Sequence, residues 1–186
     1  MIKDKCFELK WIKEIQKKND RLNPIFIENM IYAFELLAEL VKLDINFVFK
    51  GGTSLLLHFT EPRRLSIDID IIGEFDLTIL DEIIRNNPRF KSYKSARRIH
   101  NKPMIKNFEF SYDTALPNVD DQIVLLDLIL AKPSYPKVKT KEIQSPLFES
   151  DEVLYVEVPS IESLLGDKLT AFAPNTIGIP LVNDQF

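Results

Sequence analysis

Two adjacent glycines followed by a pair of alternating aspartates constrain the fold of this chain more than any other feature. The segment from residue 49 to residue 71, FKGGTSLLLHFTEPRRLSIDIDI, contains two of the five glycines in the chain. Gly51 and Gly52 follow the apolar run INFVF, which predicts a short strand, and precede TSLLLHF, which predicts a short buried helix. The predicted order is therefore strand, glycine turn, helix, basic turn and second strand.

The second strand, SIDIDII, alternates apolar and acidic residues with a period of two. Ile67, Ile69 and Ile71 are expected on one face, and Asp68 and Asp70 on the other face, about 7 Å apart. Two neighbouring carboxylates repel each other unless a cation lies close to both. Magnesium binds few protein oxygens and completes its shell with water and phosphate, so the pair predicts an Mg2+ site for phosphate chemistry.

The glycines predict a phosphate-binding turn beside that site. Gly51 and Gly52 allow close backbone approach, and the amides at the helix start, with the hydroxyls of Thr53 and Ser54, are suited to a phosphate chain. Either motif alone is common, as a plain turn or as an exposed strand. Fifteen residues separate Gly52 from Asp68, and the intervening helix and turn return the aspartates to the same end of the sheet as the glycines.

The rest of the chain predicts an α/β (α+β) fold, with helices flanking a small mixed sheet. NPIFIENMIYAFELLAELVKL predicts an amphipathic helix with Asn23 as its N-cap and one apolar face, formed by Phe26, Met30, Phe34, Leu37 and Val41. Helices are also predicted in LTILDEIIRNN and in PSIESLLGDKLTAFA, where Ser160 is the N-cap candidate. PMIKNFEFSY and DQIVLLDLIL predict an antiparallel pair and EVLYVEV a further strand, whereas KPSYPKVKTKEIQSP predicts a connection without regular structure.

The predicted organisation is a helical segment over 1–44, a core over 45–158 and the start of a helical region over 159–186, whose remainder is expected to be missing. The single cysteine and the charged N-terminus, MIKDKCFELKW, indicate a cytoplasmic protein without a signal peptide. No apolar run in the sequence reaches the length of a membrane span.

One basic segment departs from the overall charge. The net charge of -4 argues against general polyanion binding, but the stretch from Arg89 to Lys106 contains seven basic residues and no acid. Phe90 and Tyr93 lie among these residues, and basic residues interleaved with aromatics can hold a phosphate backbone and stack a base. The same composition also suits a solvated strand or loop, so both interpretations stay open.

KGGTSL followed by RRLSIDIDI, with LLGDKLTAFAPNTIGIP near the C-terminus, resembles the AbiEii/AbiGii toxin family of nucleotidyltransferases in the polymerase-beta-like superfamily. The resemblance implies a nucleotidyltransferase-like fold with a third carboxylate, for which Asp127 in IVLLDLIL is the candidate. It also implies a phosphate-binding lysine, which Lys168 in GDKLTA matches. Asp127 is open to another interpretation, as a buried acid paired with an arginine. Relatives continue past GIP into a helix with a further aspartate.

The resemblance implies the toxin of a bacterial toxin-antitoxin pair, with Mg2+ as cofactor, a nucleoside triphosphate as substrate, an RNA such as tRNA as acceptor and a DNA-binding antitoxin as partner. Asp68, Asp70 and Asp127 would hold the metal. Ser66 either contacts a phosphate or simply begins a strand, and Arg63 and Arg64 either steady the triphosphate or form a basic turn. The rival interpretations are the same chemistry on a small, antibiotic-type acceptor and a non-catalytic nucleotide-binding module. The base, the acceptor and the oligomeric state stay open.

Overall fold

The computed structural model describes residues 1–19, 22–59, 66–96 and 104–172. Its central feature is a five-stranded mixed sheet in the order β1-β2-β5-β4-β3. The strands are β1 (Phe47–Lys50), β2 (Ile69–Gly73), β3 (Phe90–Ser95), β4 (Ile105–Tyr112) and β5 (Gln122–Leu130). Within this sheet β2 pairs with β5 in parallel, while β1 with β2, β4 with β5 and β3 with β4 pair antiparallel. The mixed α/β architecture and the predicted β4–β5 pair are thus confirmed.

A second, two-stranded sheet consists of β6 (Val138–Glu142) and β7 (Tyr155–Pro159). The prediction that the segment KPSYPKVKTKEIQSP lacks regular structure is wrong, because β6 lies within it and pairs antiparallel with β7. The side chains of Val138, Lys139 and Thr140 are exposed. An edge strand of this kind needs no apolar alternation, and lysines protect its open side from pairing with other chains.

The helices are α1 (Leu9–Lys18), α2 (Pro24–Lys42), α3 (Gly51–Ser54), α4 (Ile79–Asn86) and α5 (Ile161–Phe172), with short 3-10 turns at Asp4–Phe7 and Leu55–Leu57. The helix predicted in TSLLLHF thus begins earlier, at Gly51, and tightens into a 3-10 turn. Ser160 caps α5 as predicted, because its hydroxyl accepts the amide of Ser163 at 3.4 Å. None of the helices in the described part of the chain has the length and hydrophobicity to cross a membrane.

Helix α2 is the centre of the hydrophobic core. Asn23 caps it as predicted, because its side chain accepts the amide of Ile25 at 2.9 Å. The prediction of a single apolar face is wrong, since residues 27–40 are all buried and Phe26 is 50% exposed. Two buried acids of α2, Glu28 and Glu35, are stabilised by hydrogen bonds from distant residues. Glu35, which is 0% exposed, accepts hydrogen bonds from the Asn87 side chain and the Arg89 guanidinium.

Candidate active site

Asp70 and Asp127 lie side by side on two neighbouring interior strands of the sheet. Strands β2 and β5 are parallel neighbours, and their register pairs Asp70 directly with Asp127. Paired residues on adjacent strands project from the same face of a sheet. Both carboxylates line a cavity of about 220 Å³, together with Lys50 and Asn107. The structure therefore brings together two acids that lie 57 positions apart in the sequence.

Asp68 lies just before β2, two residues ahead of Asp70, and is partly buried. Its negative charge contributes to raising the pKa of Asp70, so the two groups are close enough to repel each other. Within the described ranges, no three side chains of Asp, Glu, His or Cys are grouped closely enough to hold a metal ion. The structure thus shows a carboxylate pair, and a three-carboxylate metal site stays a prediction.

The electrostatics of Asp70 favour a bound cation. Burial, together with the negative charges of Asp127 and Asp68, raises the pKa of the Asp70 carboxyl from 3.8 to about 6, against the opposing effect of Lys50 and Lys168. A divalent cation beside the two carboxylates would remove their repulsion and stabilise the ionised form. The pair therefore suits Mg2+, which usually binds one or two protein carboxylates together with substrate phosphates.

Gly51 packs directly against the Asp70 carboxylate. Its φ angle is 76°, in the left-handed region that favours glycine. A Cβ atom at this position would overlap Asp70 Oδ2 and lie 2.6 Å from Asp70 Cγ. At Gly52, a Cβ atom would lie 2.9 Å from the Ser66 hydroxyl oxygen. The two glycines thus bring the turn backbone against Asp70 and Ser66, which explains their position in the sequence.

The hydroxyls of Thr53 and Ser54 hold the glycine turn together. Both side chains are buried. The Thr53 hydroxyl donates to the backbone carbonyl of Asp68 at 2.6 Å, and the Ser54 hydroxyl donates to the carbonyl of Gly51 at 2.9 Å. The first bond ties α3 to the residue that precedes β2. In this structure both hydroxyls fix the position of the glycines relative to the aspartates.

Helix α5 closes the other side of the site. Lys168 lines a second cavity, of about 390 Å³, together with Gly51, Gly52 and Asp70. Its positive charge lowers the pKa of Asp70, so it lies near the carboxylates. The predicted aspartates, the glycines and Lys168, which come from four separate elements, thus meet at one end of the sheet.

Residues 35–178 match the model of a family described as the nucleotidyl transferase AbiEii toxin of type IV toxin-antitoxin systems. The chain belongs to this AbiEii family. No curated protein matches it significantly. Among solved structures, a candidate nucleotidyltransferase from Helicobacter pylori is similar, with a TM-score of 0.52 and 19% identity over 77% of this chain and 59% of that chain. JHP933 from Helicobacter pylori has the same TM-score and identity, over 77% of this chain and 55% of its own.

These similarities confirm the nucleotidyltransferase-like fold of this AbiEii-family chain. At 19% identity the two structures show the fold alone, and the chain spans less than two thirds of the length of either one. The C-terminal part of the sequence resemblance, APNTIGIP, lies outside the described residues, as do Arg63 and Arg64.

Two further residues of the candidate site, Asn107 and Tyr135, were not predicted from the sequence. The side-chain amide of Asn107, on β4, donates to Asp127 Oδ1 at 2.6 Å, and only 6% of Asn107 is exposed. The hydroxyl of Tyr135, after β5, donates to Asp167 Oδ2 at 2.6 Å. Asn107 did not stand out in the sequence, because β4 also contains the polar residues Lys106, Glu109 and Ser111. Tyr135 gave no signal, because the fold alone brings it to α5.

Three of the four described basic residues of the segment from Arg89 to Lys106 form ion pairs, namely Arg89, Lys91 and Lys94. Arg89 contacts Asp4 and the buried Glu35, so it has a role in the core. Lys91 contacts Asp113 at 2.6 Å and Asp121 at 2.9 Å, and Lys94 contacts Glu109 at 3.1 Å. The acids come from other parts of the chain, which the local sequence does not reveal. Arg97, Arg98 and Lys102 lie outside the described residues.

Proposed function

We propose that this chain transfers a nucleoside monophosphate from a nucleoside triphosphate to an acceptor hydroxyl and releases pyrophosphate. The observation that supports this most is the pairing of Asp70 with Asp127 on adjacent parallel strands, with Gly51 packed against Asp70. This arrangement combines two carboxylates for divalent ions with a side-chain-free turn for phosphates. Membership of a nucleotidyltransferase toxin family is consistent with the same reaction.

Each residue of the site has a proposed role. Asp70 and Asp127 hold Mg2+, with Asp68 as a third ligand. When bound, the ion supplies charge neutralisation at the reacting phosphate. The backbone of Gly51 and Gly52 binds the triphosphate, and Thr53 and Ser54 hold that turn in place. The partly buried hydroxyl of Ser66, next to Gly52, contacts the phosphates, and the ammonium group of Lys168 neutralises the phosphates that leave.

The proposed reaction is one displacement at the α-phosphorus. The acceptor hydroxyl oxygen forms a bond to this phosphorus, and the bond from the phosphorus to the bridging oxygen of the β-phosphate breaks. Pyrophosphate leaves with the electron pair of that bond. The proton of the acceptor hydroxyl passes to a carboxylate oxygen of Asp127, which lies beside Asp70 and is oriented by the Asn107 amide.

The acceptor and the partner are further proposals that rest on the toxin family. We propose an RNA acceptor such as tRNA, a cytoplasmic location where this RNA and nucleoside triphosphates occur together, and a cognate antitoxin. Arg89, Lys91 and Lys94 are ion-paired within the protein. We therefore expect the remaining basic residues of the segment from Arg89 to Lys106 to contact the RNA. Reversing the charges of Arg97, Arg98 and Lys102 should then weaken RNA use and reduce its salt dependence. No change would remove this segment from the RNA-binding surface.

The transfer proposal is tested with nucleoside triphosphates labelled at the α-phosphate, each mixed with Mg2+ and total cellular RNA. The unaltered protein should label RNA and release pyrophosphate. Asp70→Asn and Asp127→Asn should each reduce labelling at least about 100-fold. Loss of a residue that only hydrogen-bonds to a metal ligand already costs up to about 100-fold, and these two residues are proposed as ligands themselves. Asp151→Asn is the matched control, because Asp151 is an exposed acid. It contacts Lys3 at 3.8 Å, and Lys3 is distant in sequence from the residues of the site. Equal labelling by all four proteins would contradict the proposal.

Two other outcomes favour the rival functions. Labelling of an aminoglycoside-type small molecule in place of RNA would indicate a small-molecule acceptor. Triphosphate binding without pyrophosphate release, with any acceptor offered, would indicate a nucleotide-binding module.

A further inference from the structure

Tyr135 and Asp167 form a polar wall of the cavity that also contains the glycine turn. The Tyr135 hydroxyl donates to Asp167 Oδ2 at 2.6 Å, which joins the segment after β5 to helix α5. Both residues line the cavity of about 390 Å³, together with Gly51, Gly52 and Asp70. The pair therefore faces the region where the proposed triphosphate binds, yet the reaction described above gives it no role.

The pair presents hydrogen-bond acceptors to the cavity and no donors. Burial and the neighbouring Asp167 carboxylate raise the pKa of Tyr135 well above its ordinary value, so the phenol keeps its single proton. That proton is donated to Asp167 Oδ2. The phenol oxygen and Asp167 Oδ1 are left as acceptors, and in the described part of the chain the structure shows no protein donor to Oδ1. A ligand that fits here must supply donors.

The location of the pair indicates which part of a nucleotide it meets. Tyr135 and Asp167 line the same cavity as Asp70, so the pair lies on the side of the site where the metal and phosphates are proposed to bind. In a nucleotide, the group attached directly to the α-phosphate is the ribose. Apolar side chains form other parts of the cavity and suit the flat base, namely those of Leu55, Ile72, Ile129 and Leu164.

We propose that Tyr135 and Asp167 bind the 2′- and 3′-hydroxyls of the nucleotide and make this chain selective for ribonucleotides, an inference that rests on the proposed nucleotidyl transfer. The vicinal hydroxyls of ribose offer two adjacent donors, which match the two adjacent acceptors. Most base edges mix donors and acceptors and so match an acceptor-only wall less well. Only guanine offers neighbouring donors on one edge, and a comparison of GTP with inosine triphosphate tests whether the wall binds this base instead.

The experiment measures binding by calorimetry rather than transfer, with each ribonucleoside triphosphate and its 2′-deoxy form in the presence of Mg2+. The unaltered protein should bind the ribo form about 10- to 100-fold more tightly, the range expected for a hydrogen bond to a charged group. Asp167→Asn and Tyr135→Phe should reduce this ratio to within about threefold, because they weaken the ribo form more than the deoxy form, which keeps only its 3′-hydroxyl contact. The controls are Glu162→Gln and Tyr155→Phe, which alter exposed residues and should keep the full ratio.

The other outcomes overturn the inference in distinguishable ways. Equal affinity of the unaltered protein for the ribo and deoxy forms would show that the wall does not bind the sugar. Equal weakening of both forms by the two variants would show that the Tyr135–Asp167 bond only stabilises the fold. A preference for GTP over inosine triphosphate that disappears in Asp167→Asn would assign the wall to the guanine base. Absence of binding by any nucleotide would overturn the proposed function together with this inference.

Discussion

Replacing Gly51 with alanine should disable the site through a single methyl group. Alanine at a φ angle of 76° costs about 1–2 kcal/mol, because its Cβ crowds the backbone in the left-handed region. The new Cβ would also overlap Asp70 Oδ2 and lie 2.6 Å from Asp70 Cγ. Since carbon atoms pack best at about 3.5–4.0 Å, the Asp70 carboxyl must move by roughly 1 Å. A misplacement of about 1 Å can reduce catalysis about 100-fold.

The assay combines thermal unfolding with transfer of labelled nucleoside monophosphate. Gly51→Ala should lower the melting temperature by about 2–8 °C, since about 1 kcal/mol corresponds to about 2–4 °C in a chain of this size. It should also reduce transfer about 100-fold. Gly166→Ala is the matched control, because Gly166 lies within α5 and a Cβ atom there would meet nothing within 4 Å. This control should gain about 0.5–1 kcal/mol of stability and keep its transfer rate.

The two readouts for Gly51→Ala separate the effects of backbone strain and of Asp70 displacement. A lower melting temperature with transfer within about threefold of the unaltered protein would refute the reasoning, because Asp70 would then tolerate a displacement of about 1 Å. An unchanged melting temperature would contradict the strained conformation of residue 51 itself.

Asp70→Asn should stabilise the cation-free protein by up to about 3 kcal/mol above pH 6, where the buried carboxylate of the unaltered protein is charged. It should have no effect below about pH 3, where Asp70 is protonated in both the folded and the unfolded states. A stability difference in EDTA that does not depend on pH would contradict this. Arg89→Met should lower the free energy of unfolding by about 3 kcal/mol, because it leaves Glu35 buried without its cation, and it should leave nucleotide affinity unchanged. Urea unfolding measures the stability, and calorimetry measures the nucleotide affinity. A stability loss below about 0.5 kcal/mol would place Arg89 outside the core. Asn107→Ala should weaken Mn2+ binding about 10- to 100-fold, because Asp127 loses the hydrogen bond from the Asn107 amide that orients it. An unchanged Mn2+ affinity, measured by calorimetry, would show that the hydrogen bond from Asn107 does not position Asp127 as a metal ligand.

The sequence predicts the parts of this fold that depend on local pattern. The alternation in SIDIDII, the glycines after INFVF and the N-cap at Asn23 each specify an element through two to seven neighbouring residues. The proximity of Asp127 to Asp70 depends instead on which strands become neighbours, and family resemblance suggested it. Local pattern alone does not determine that β2 and β5 pair in parallel.

The errors arose where distant contacts override local pattern. Helix α2 is buried on every side because acids such as Glu28 and Glu35 receive hydrogen bonds from residues more than 30 positions away. The segment around β6 forms a strand because β7 pairs with it, although its own residues are mostly polar. The sequence left the role of the basic segment open for the same reason, because the acids that pair with Arg89, Lys91 and Lys94 come from other parts of the chain.

The central claim is that Asp70 and Asp127 bind divalent ions beside the glycine turn. Crystals grown with Mn2+ and a non-hydrolysable nucleoside triphosphate analogue test it most directly, because anomalous scattering locates the manganese. We expect an anomalous peak within about 2.5 Å of carboxylate oxygens of both residues, with the phosphates of the analogue against Gly51 and Gly52. Manganese bound elsewhere, or an analogue bound away from the glycine turn, would contradict the claim.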